Sequence, residues 1–336
     1  MPSNTMFTIS PKAFNVRILN RKEISDQKWD LCVGSAFNET PLAYSWVLDI
    51  IAPGWHGVIV DDYLGVMPLT AVKRAGASVL QMPSEIQYLG LLSASADVVS
   101  LFPSILKQDY FTKYSFIAQS SVPNDQSIEL PAFGKWRTTC ELNLSSDYER
   151  LYSQYTPSHK KNIRRFERHN FFIEQNQKPE AYTSLKQEFA KIRPEVYVPS
   201  SHYQRFNDLI KTSIQNGSGT ILSIDKNDKT IGAVYFLCGK RRCILFHSAD
   251  ETGRQKKTTF GLIDKYIQLQ AGKNLILDFA GSDIISICEF NTGFGAQKKQ
   301  YMSITIDNLP WPLRLAKKIR LKYRMNRLIS IVTNKT

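Results

Sequence analysis

The chain has 336 residues, with 43 Lys and Arg residues against 30 Asp and Glu residues and a formal net charge of +13. A hydrophobic content of 43% is enough for a buried core in one large domain or two ordinary ones, which excludes a disordered or fibrous protein. The N-terminal residues do not form a signal-peptide pattern, and no apolar stretch is long enough to cross a bilayer. We therefore expect a protein that is neither secreted by that route nor membrane-spanning.

The cysteines bear on metal binding and on cellular compartment. There are five, an odd number, and they are scattered along the chain without a Cys-x-x-Cys pair. This pattern favours neither a disulfide framework nor a zinc site. We therefore expect no bound metal and a cytoplasmic location.

The first part of the chain mixes predicted helices with predicted strands. Pro53-Gly54 breaks the chain before the first strand pair, and Asp61-Asp62 forms the turn within that pair. The predicted helices cover 29–37, 42–51 and 97–107, and the predicted strands cover 57–60, 63–72, 114–118 and 137–144.

Near residue 145 the pattern becomes helical, and we place a domain boundary there. Ser146 or Asp147 is the expected N-cap of the first helix, and Thr156-Pro157 supplies an N-cap and a first-turn proline for the next. Three strands of an antiparallel meander follow later in the chain. The predicted helices cover 145–155, 159–168, 181–193, 203–216, 259–271 and 282–290, and the strands cover 220–225, 230–238, 242–248, 275–279 and 300–307.

The positive charge is concentrated in three clusters, at 159–168, at 254–257 and at 308–336, where eight basic residues occur without an acid. Such clusters are either solvated faces or sites for an anionic partner such as tRNA, a nucleotide-linked precursor, coenzyme A or an anionic membrane. The third cluster forms an amphipathic basic helix, which either lies on an anionic membrane surface or packs on its own protein.

Specific motifs occur in the second half. They are Leu277-Asp278-Phe279-Ala280-Gly281-Ser282, Glu289-Phe290-Asn291-Thr292-Gly293-Phe294-Gly295-Ala296 with Tyr301 beyond it, and Ser158-His159-Lys160-Lys161-Asn162-Ile163-Arg164. Together with the order of the elements, these motifs resemble the FemABX-like branch of the GNAT acyltransferase superfamily. The segments 55–69 and 87–90 are similar to the amino-terminal domain of related bacterial proteins.

The resemblance implies an α/β (α+β) fold of two tandem GNAT-like domains, each a mixed, mainly antiparallel sheet flanked by helices. The first domain would comprise 1–145 and 310–336, and the second 146–309. In that arrangement the segment 311–332 returns to pack on residues 1–145.

The resemblance also implies an acyltransferase that forms an amide bond in the interdomain cleft, between an aminoacyl or acyl group and an amine acceptor. No cofactor is expected to be bound; the donor would be aminoacyl-tRNA or an acyl thioester of coenzyme A or a carrier protein. The acceptor would be a small molecule or a cell-wall precursor. The alternatives are a carrier-dependent N-acyltransferase acting on an amino sugar or Lys, and a non-catalytic binding protein with basic faces for tRNA or membrane.

Three residues are the candidates for catalysis. Asp278 lies in an apolar strand, where a carboxylate needs a partner, and His247 lies near a strand end. Asn291 stands where FemABX members commonly carry a Lys, and as a neutral dipole it stabilises an oxyanion less than a cation does. A general base matters most for a Lys acceptor, because an α-amino group is already about a tenth neutral at pH 7.

The remaining candidates fall into two groups. Arg254-Gln255-Lys256-Lys257-Thr258 precedes a helix and matches the pyrophosphate loop of acetyltransferases poorly, so acetyl coenzyme A is not the default donor. The predicted donor phosphate-binding residues are Arg254, Lys256, Lys257 and Thr258. The predicted substrate-binding residues are Lys160, Lys161, Arg164, Tyr197, His202, Tyr203, Arg205, Gln87, Tyr88, Ser282, Gly295 and Tyr301.

Overall fold

The protein has a mixed α/β fold in which two sheets are flanked by helices, as the sequence predicts. The structure is a computed structural model that describes residues 5–9, 14–74, 76–84, 86–123, 130–192, 200–281, 283–315 and 319. Within these residues, no helix is both long enough and apolar enough to cross a membrane.

The strands and helices are numbered in chain order. The strands are β1 (Thr5–Ile9), β2 (Phe14–Asn20), β3 (His56–Val60), β4 (Gly65–Leu69), β5 (Ala71–Arg74), β6 (Ala77–Gln81), β7 (Leu92–Ser93), β8 (Phe116–Ser120), β9 (Gly134–Asn143), β10 (Glu174–Asn176), β11 (Gly219–Lys226), β12 (Lys229–Cys238), β13 (Arg242–Ala249), β14 (Ile276–Asp278) and β15 (Gln297–Asp307). The helices are α1 (Asp26–Ser35), α2 (Ser45–Ile51), α3 (Ala96–Val99), α4 (Phe102–Leu106), α5 (Tyr148–Ser153), α6 (Pro157–Glu167), α7 (Glu180–Ile192), α8 (Ser200–Gln215), α9 (Glu251–Lys256), α10 (Thr258–Gln270) and α11 (Ile285–Thr292).

The strands form a five-stranded sheet in the order β1-β2-β3-β4-β7 and a ten-stranded sheet in the order β10-β11-β12-β13-β14-β9-β15-β8-β6-β5. The larger sheet continues across the predicted boundary at residue 145, because β9 pairs with β14 on one side and with β15 on the other. One buried cluster likewise combines Trp55 and Tyr88 with Tyr235 and Phe246. The two halves of the chain therefore share both a sheet and a core.

The pairing of β13 with β14 opens a gap in the larger sheet. The two strands run parallel, and their register extends only from Arg242 opposite Ile276 to Ile244 opposite Asp278. β14 ends there, while β13 continues to Ala249 against β12 alone. Because the final part of β13 lacks a partner on the β14 side, side chains there are free to line a cavity.

Several local predictions are confirmed. Asp147 caps α5 by accepting a hydrogen bond from the Arg150 N–H, and Thr156 caps α6 by accepting one from the His159 N–H. The meander forms as β11, β12 and β13. In contrast, β1, β2, β6, β7 and β10 lie where the sequence predicts no element.

The cysteine prediction needs a correction. Cys238 and Cys243 face each other across β12 and β13 and form a disulfide bond. The three-residue turn between these strands places the two side chains opposite each other, a relation that depends on strand register and not on a Cys motif. The other cysteines, Cys32, Cys140 and Cys288, are buried and take no part in this disulfide bond.

Most of the predicted C-terminal helix lies outside the described residues. The part that the structure describes carries several large apolar side chains. They are exposed, with 76% of Trp311, 39% of Leu313, 49% of Leu315 and 60% of Ile319 accessible.

Candidate functional site

Asp278 lies at the centre of a buried polar network beneath the gap between β13 and β14. Its side chain is fully buried and accepts hydrogen bonds from the Tyr88 hydroxyl, from the Thr139 hydroxyl at 3.0 Å and from the Arg242 guanidinium at 2.6 Å. The ring of Tyr301 packs edge-on against Tyr88, with centroids 5.3 Å apart. The buried carboxylate thus has the partners that its position in an apolar strand requires.

Arg242 extends this network to both halves of the chain. Its guanidinium also donates to Glu141 at 2.5 Å and to the main-chain oxygen of Glu39 at 2.9 Å. Burial raises the pKa of Glu141, and Arg242 opposes this rise. Burial lowers the pKa of Arg242, but Asp278 and Glu141 outweigh burial and raise the pKa overall. Arg242 therefore remains a cation that neutralises buried carboxylates.

The network reaches the open part of the structure through a strained turn. The Ala280 N–H donates to Asp278 at 3.0 Å, and Ala280 and Gly281 both have positive φ values, 44° and 67°. The Gln87 side chain packs close to Gly281. Asp278 therefore holds a left-handed turn in place, and left-handed residues other than glycine are costly unless their surroundings impose them.

A cavity of about 490 Å³ lies where β13 extends beyond β14; we call it the β13 cavity. This volume is within the range of small-molecule sites. Its walls come from the end of β13, the start of α10, one face of α7 and the turn after β14. The residues that line it are Gln87, Tyr182, Lys186, Phe189, Leu245, Phe246, His247, Ser248, Ala249, Arg254, Thr259, Phe279, Ala280 and Ile287.

His247 is the titratable side chain in this cavity that suits proton transfer. His247 lines the cavity and is exposed, and the centroid of its ring lies 5.9 Å from that of Phe290. Crowding by protein atoms lowers the pKa of His247 below its ordinary value of 6.5, and Lys186 lowers it further. Because both effects disfavour the cation, His247 is neutral at pH 7 and can accept a hydrogen bond or a proton from an amine.

The start of α10 supplies the anion-binding features. Lys257 adopts a left-handed conformation that ends α9 and begins α10, and Arg254 and Thr259 line the cavity beside it. The first N–H groups of a helix have no intrahelical acceptor, so they attract an anion. The Thr258 side chain is not available for this purpose, because it is fully buried against Gly232 and Gly253. Lys256 is half-buried and does not line the cavity.

Two other predicted substrate residues line a separate cavity of about 360 Å³, the α8 cavity. His202 and Arg205 contribute from α8, and Arg74, Trp55 and Gln81 lie among the residues from the other half of the chain. Phe206 also lines this cavity, and its ring lies edge-on to Phe246, 5.3 Å between centroids. Since Phe246 lines the β13 cavity, an aromatic pair separates the two cavities. Tyr203 packs edge-on against His202.

The basic helix α6 is set apart from both cavities. Lys161 and Arg164 line a shallow hollow with Arg165 and Arg168, and all the described residues in the wall of this α6 hollow are basic. Lys160 instead donates to the Ser153 main-chain oxygen at 2.9 Å and lies over the Tyr152 ring. Lys160 is therefore held against α5, whereas Lys161 and Arg164 face solvent.

The remaining predicted site residues lie away from the cavities or outside the described part of the chain. Asn291 is buried on α11 and does not line the β13 cavity. Gly295 adopts a left-handed conformation in the turn after α11 and packs close to Gln154. Tyr197 and Ser282 lie outside the described residues.

Sequence reasoning missed the partners of Asp278 and much of the cavity wall. Arg242 is a charged residue at the start of a largely apolar strand, the same signal that singled out Asp278, but the sequence does not say which charges meet. Glu141 lies in a strand with several polar residues and carries no such signal. Lys186 and Tyr182 are spaced four residues apart on one face of α7. That spacing predicts a shared face, and only the fold shows that the face covers a cavity.

Within the described residues, no group of His, Cys, Asp and Glu side chains is arranged to hold a metal ion.

Comparison with solved structures finds proteins of similar fold. The chain is similar to FemX with a TM-score of 0.61 and 11% identity, over 88% of this chain and 98% of FemX. L-PGS from Bacillus licheniformis gives a TM-score of 0.45 and 11% identity over 82% of this chain and 91% of its own. A GNAT-family acetyltransferase from Colwellia psychrerythraea gives a TM-score of 0.48 and 9% identity, over 85% of this chain and 98% of its own.

No protein-family model and no curated protein matches the sequence. The similarity therefore lies in the fold, which is like that of FemX, and this confirms the fold expected from the motifs.

Proposed function

We propose that the protein is an acyltransferase that forms an amide bond, with the carried acyl or aminoacyl group in the β13 cavity. The proposal rests on one observation: β13 and β14 stop pairing at a cavity, and a helix N-terminus and a neutral histidine both lie at that cavity. A helix N-terminus binds phosphate, a neutral histidine accepts a proton, and the gap between the strands holds the group to be transferred.

The donor would bind with its phosphate end at the start of α10. Arg254 donates a hydrogen bond to the Ala249 main-chain oxygen at 2.8 Å and forms an ion pair with Glu251, so its guanidinium is already oriented beside the cavity. The N–H groups of Thr258 and Thr259 would complete the anion site. Aminoacyl-tRNA and acyl thioesters of coenzyme A or a carrier protein all carry phosphate, so this site suits each of them.

The acceptor amine would approach the carbonyl beside His247. Among the described residues that line the β13 cavity there is no carboxylate, so His247 is the expected proton acceptor there. With its pKa lowered, His247 is a weak base, which suits an α-amino or sugar amine better than a Lys side chain, whose pKa is near 10.4. His202, Arg205 and Arg74 in the α8 cavity would bind an anionic part of the acceptor, as expected for a cell-envelope precursor.

The first experiment measures binding of the purified protein to charged and uncharged tRNA across a salt series, with coenzyme A thioesters as competitors. Contacts between phosphates and the α6 hollow would give a steep, linear fall of log K with log salt. Preference for charged tRNA would identify aminoacyl transfer, and competition by a thioester without that preference would identify a carrier-dependent donor. Binding of neither donor would reject the proposal.

Catalysis is then tested through His247. His247→Gln keeps a hydrogen-bonding side chain but cannot accept a proton, so amide formation should fall about 10²–10⁴-fold while donor binding is retained. His169→Gln is the matched control because His169 does not line the β13 cavity, and its activity should equal that of the wild type. Equal activity of both variants would remove His247 from the mechanism.

A second candidate function rests on two features: the described residues of the cavity wall include no carboxylate, and Asn291 is buried. With these features the fold would serve as a non-catalytic binding protein for an anionic ligand. Donor binding without amide formation against any α-amino, amino-sugar or Lys acceptor would favour this second function.

A further inference from the structure

One side of the β13 cavity is built from large apolar side chains. At its base lie Tyr182, Leu245, Phe246 and Phe279, each at most 8% exposed. The cations Lys186 and Arg254 lie elsewhere in the wall. The cavity is therefore amphiphilic, with a cationic part suited to phosphate and an apolar part that offers few hydrogen-bonding groups.

The apolar surface continues from the base to the rim. Phe189 and Ile287 line the cavity from opposite helices, α7 and α11, and remain 39% and 37% exposed. Ile284 and Ile285 next to Ile287 are 61% and 76% exposed. The rim therefore leaves apolar surface in contact with water. A contiguous exposed apolar patch marks a binding site more often than a single exposed apolar side chain does.

The spacing of the α7 residues adds to this picture. Tyr182, Lys186 and Phe189 are separated by four and three residues, so they lie on one helical face that follows the cavity from its base to its rim. A group bound along this face would meet Tyr182 and Phe189 through apolar contacts, with Lys186 between them beside His247. A small acetyl or glycyl group would leave Phe189 and Ile287 uncovered.

We propose that the β13 cavity selects a donor with a bulky apolar acyl group, an aliphatic chain of several carbons, whose chain lies against Tyr182, Phe279, Phe189 and Ile287. This inference rests on the proposed acyl transfer. In the step itself the amine nitrogen attacks the carbonyl carbon, a C–N bond forms and the C–S bond of the thioester breaks. The amine proton passes to His247 and then to the departing thiolate.

The test separates chain recognition from catalysis by measuring binding without an acceptor. The full-length protein is titrated calorimetrically with n-alkyl carboxylates from butanoate to decanoate and with the matching coenzyme A thioesters. Each buried methylene is expected to tighten binding about threefold to fourfold until the chain fills the cavity. Affinity that does not change with chain length in both series would overturn the inference.

Matched variants assign the effect to the rim. Phe189→Ala and Ile287→Ala should each weaken the binding of decanoyl coenzyme A by about tenfold. They should weaken the binding of acetyl coenzyme A by less than twofold, because only the long chain reaches the rim. Leu31→Ala is the control, since Leu31 is exposed on α1 and does not line the cavity. Equal losses for both thioesters, or a loss in the control, would contradict the assignment.

Two further outcomes have distinct meanings. If the chain-length dependence is present but no amide forms with any amine acceptor, the proposed catalysis fails and the apolar site stands. If the chain-length series is flat and Ile284→Ser with Ile285→Ser abolishes binding to phosphatidylglycerol vesicles, the rim contacts lipid instead and the inference is wrong.

Discussion

Arg242 is the residue on which the buried network depends. It is the guanidinium within 2.6 Å of both Glu141 and Asp278, and all three side chains are shielded from water. Burying a carboxylate without a counterion is costly, so the network is stable only as a complete set. The same set holds the Ala280–Gly281 turn at the edge of the β13 cavity, so Asp278 acts on the site through its position.

Removing this cation should therefore destabilise the protein strongly. Arg242→Ala is expected to lower the free energy of unfolding by about 3–5 kcal/mol, because it leaves Glu141 and Asp278 buried without the cation that neutralises them. The control is Arg137→Ala, which removes an exposed ion pair with Asp283 and should cost at most about 1 kcal/mol. Urea unfolding of the two variants checks the difference, and similar losses would show that the network is not a structural unit.

Asp264 gives the stability a pH dependence. Burial raises the pKa of Asp264 to about 6 from an ordinary 3.8, although the Tyr148 hydroxyl donates to it at 2.9 Å and lowers the pKa. The folded state thus binds this proton more tightly than the unfolded state. The contribution to stability is fully present below pH 4 and is lost as the pH rises through about 6.

Asp264→Asn should remove this dependence, because an amide carries no proton to lose. We expect its free energy of unfolding at pH 7 to exceed that of the wild type by at most about 3 kcal/mol and the two to converge near pH 4. Urea titrations at pH 4, 5, 6 and 7 measure the difference, with the exposed Asp62→Asn as the control. A constant difference across this range would mean that Asp264 does not titrate there.

At the scale of elements, α6 and α11 meet behind the β13 cavity. His159 on α6 contacts the Phe290 main-chain oxygen at 2.8 Å, and its ring lies against Gly293 at the end of α11. A methyl group at Gly293 would overlap that ring. The φ of Gly293, −60°, suits any residue, so only the close approach requires a glycine there.

Gly293→Ala should therefore act through packing alone. We expect a loss of about 1–3 kcal/mol in the free energy of unfolding, because the added methyl forces α6 and α11 apart. Gly272→Ala is the complementary variant: its φ is +83° with open space around it, so its cost of about 1–2 kcal/mol comes from the backbone. Adding His159→Ala to the Gly293→Ala variant should recover part of the lost stability, because it removes the ring that the methyl group overlaps. His159→Ala alone should bring no such gain. A double variant that recovers no stability would contradict the overlap.

Local rules predicted elements whose signals lie within a few residues. The caps at Asp147 and Thr156 and the turns of the meander are of this kind. The parallel pairing of β13 with β14 joins strands more than 30 residues apart, and the link from Tyr88 to Asp278 spans 190 residues. Such contacts depend on the whole fold, so the sequence indicated that Asp278 needs a partner without indicating Arg242.

At the scale of the molecule, Glu39 fastens the first half of the chain to the second. Its carboxylate accepts hydrogen bonds from the N–H groups of Lys240 and Arg241 at 2.6 and 2.7 Å and from the Tyr44 hydroxyl at 2.7 Å. Glu39 is only 2% exposed. The turn between β12 and β13 is therefore held by a side chain that lies 200 residues away, next to the cation of the buried network.

This connection and the continuous ten-stranded sheet predict that the halves unfold together. Unfolding followed by tryptophan fluorescence should coincide with unfolding followed by far-ultraviolet circular dichroism, because Trp29, Trp46 and Trp55 lie in the first half while the meander and α10 lie in the second. Glu39→Gln places an amide N–H against a main-chain N–H and should lower stability by about 1–3 kcal/mol. The exposed Glu188→Gln should have a much smaller effect. Two separated transitions in the wild type would show that the halves are independent domains, whereas separation only in Glu39→Gln would identify this carboxylate as the link between them.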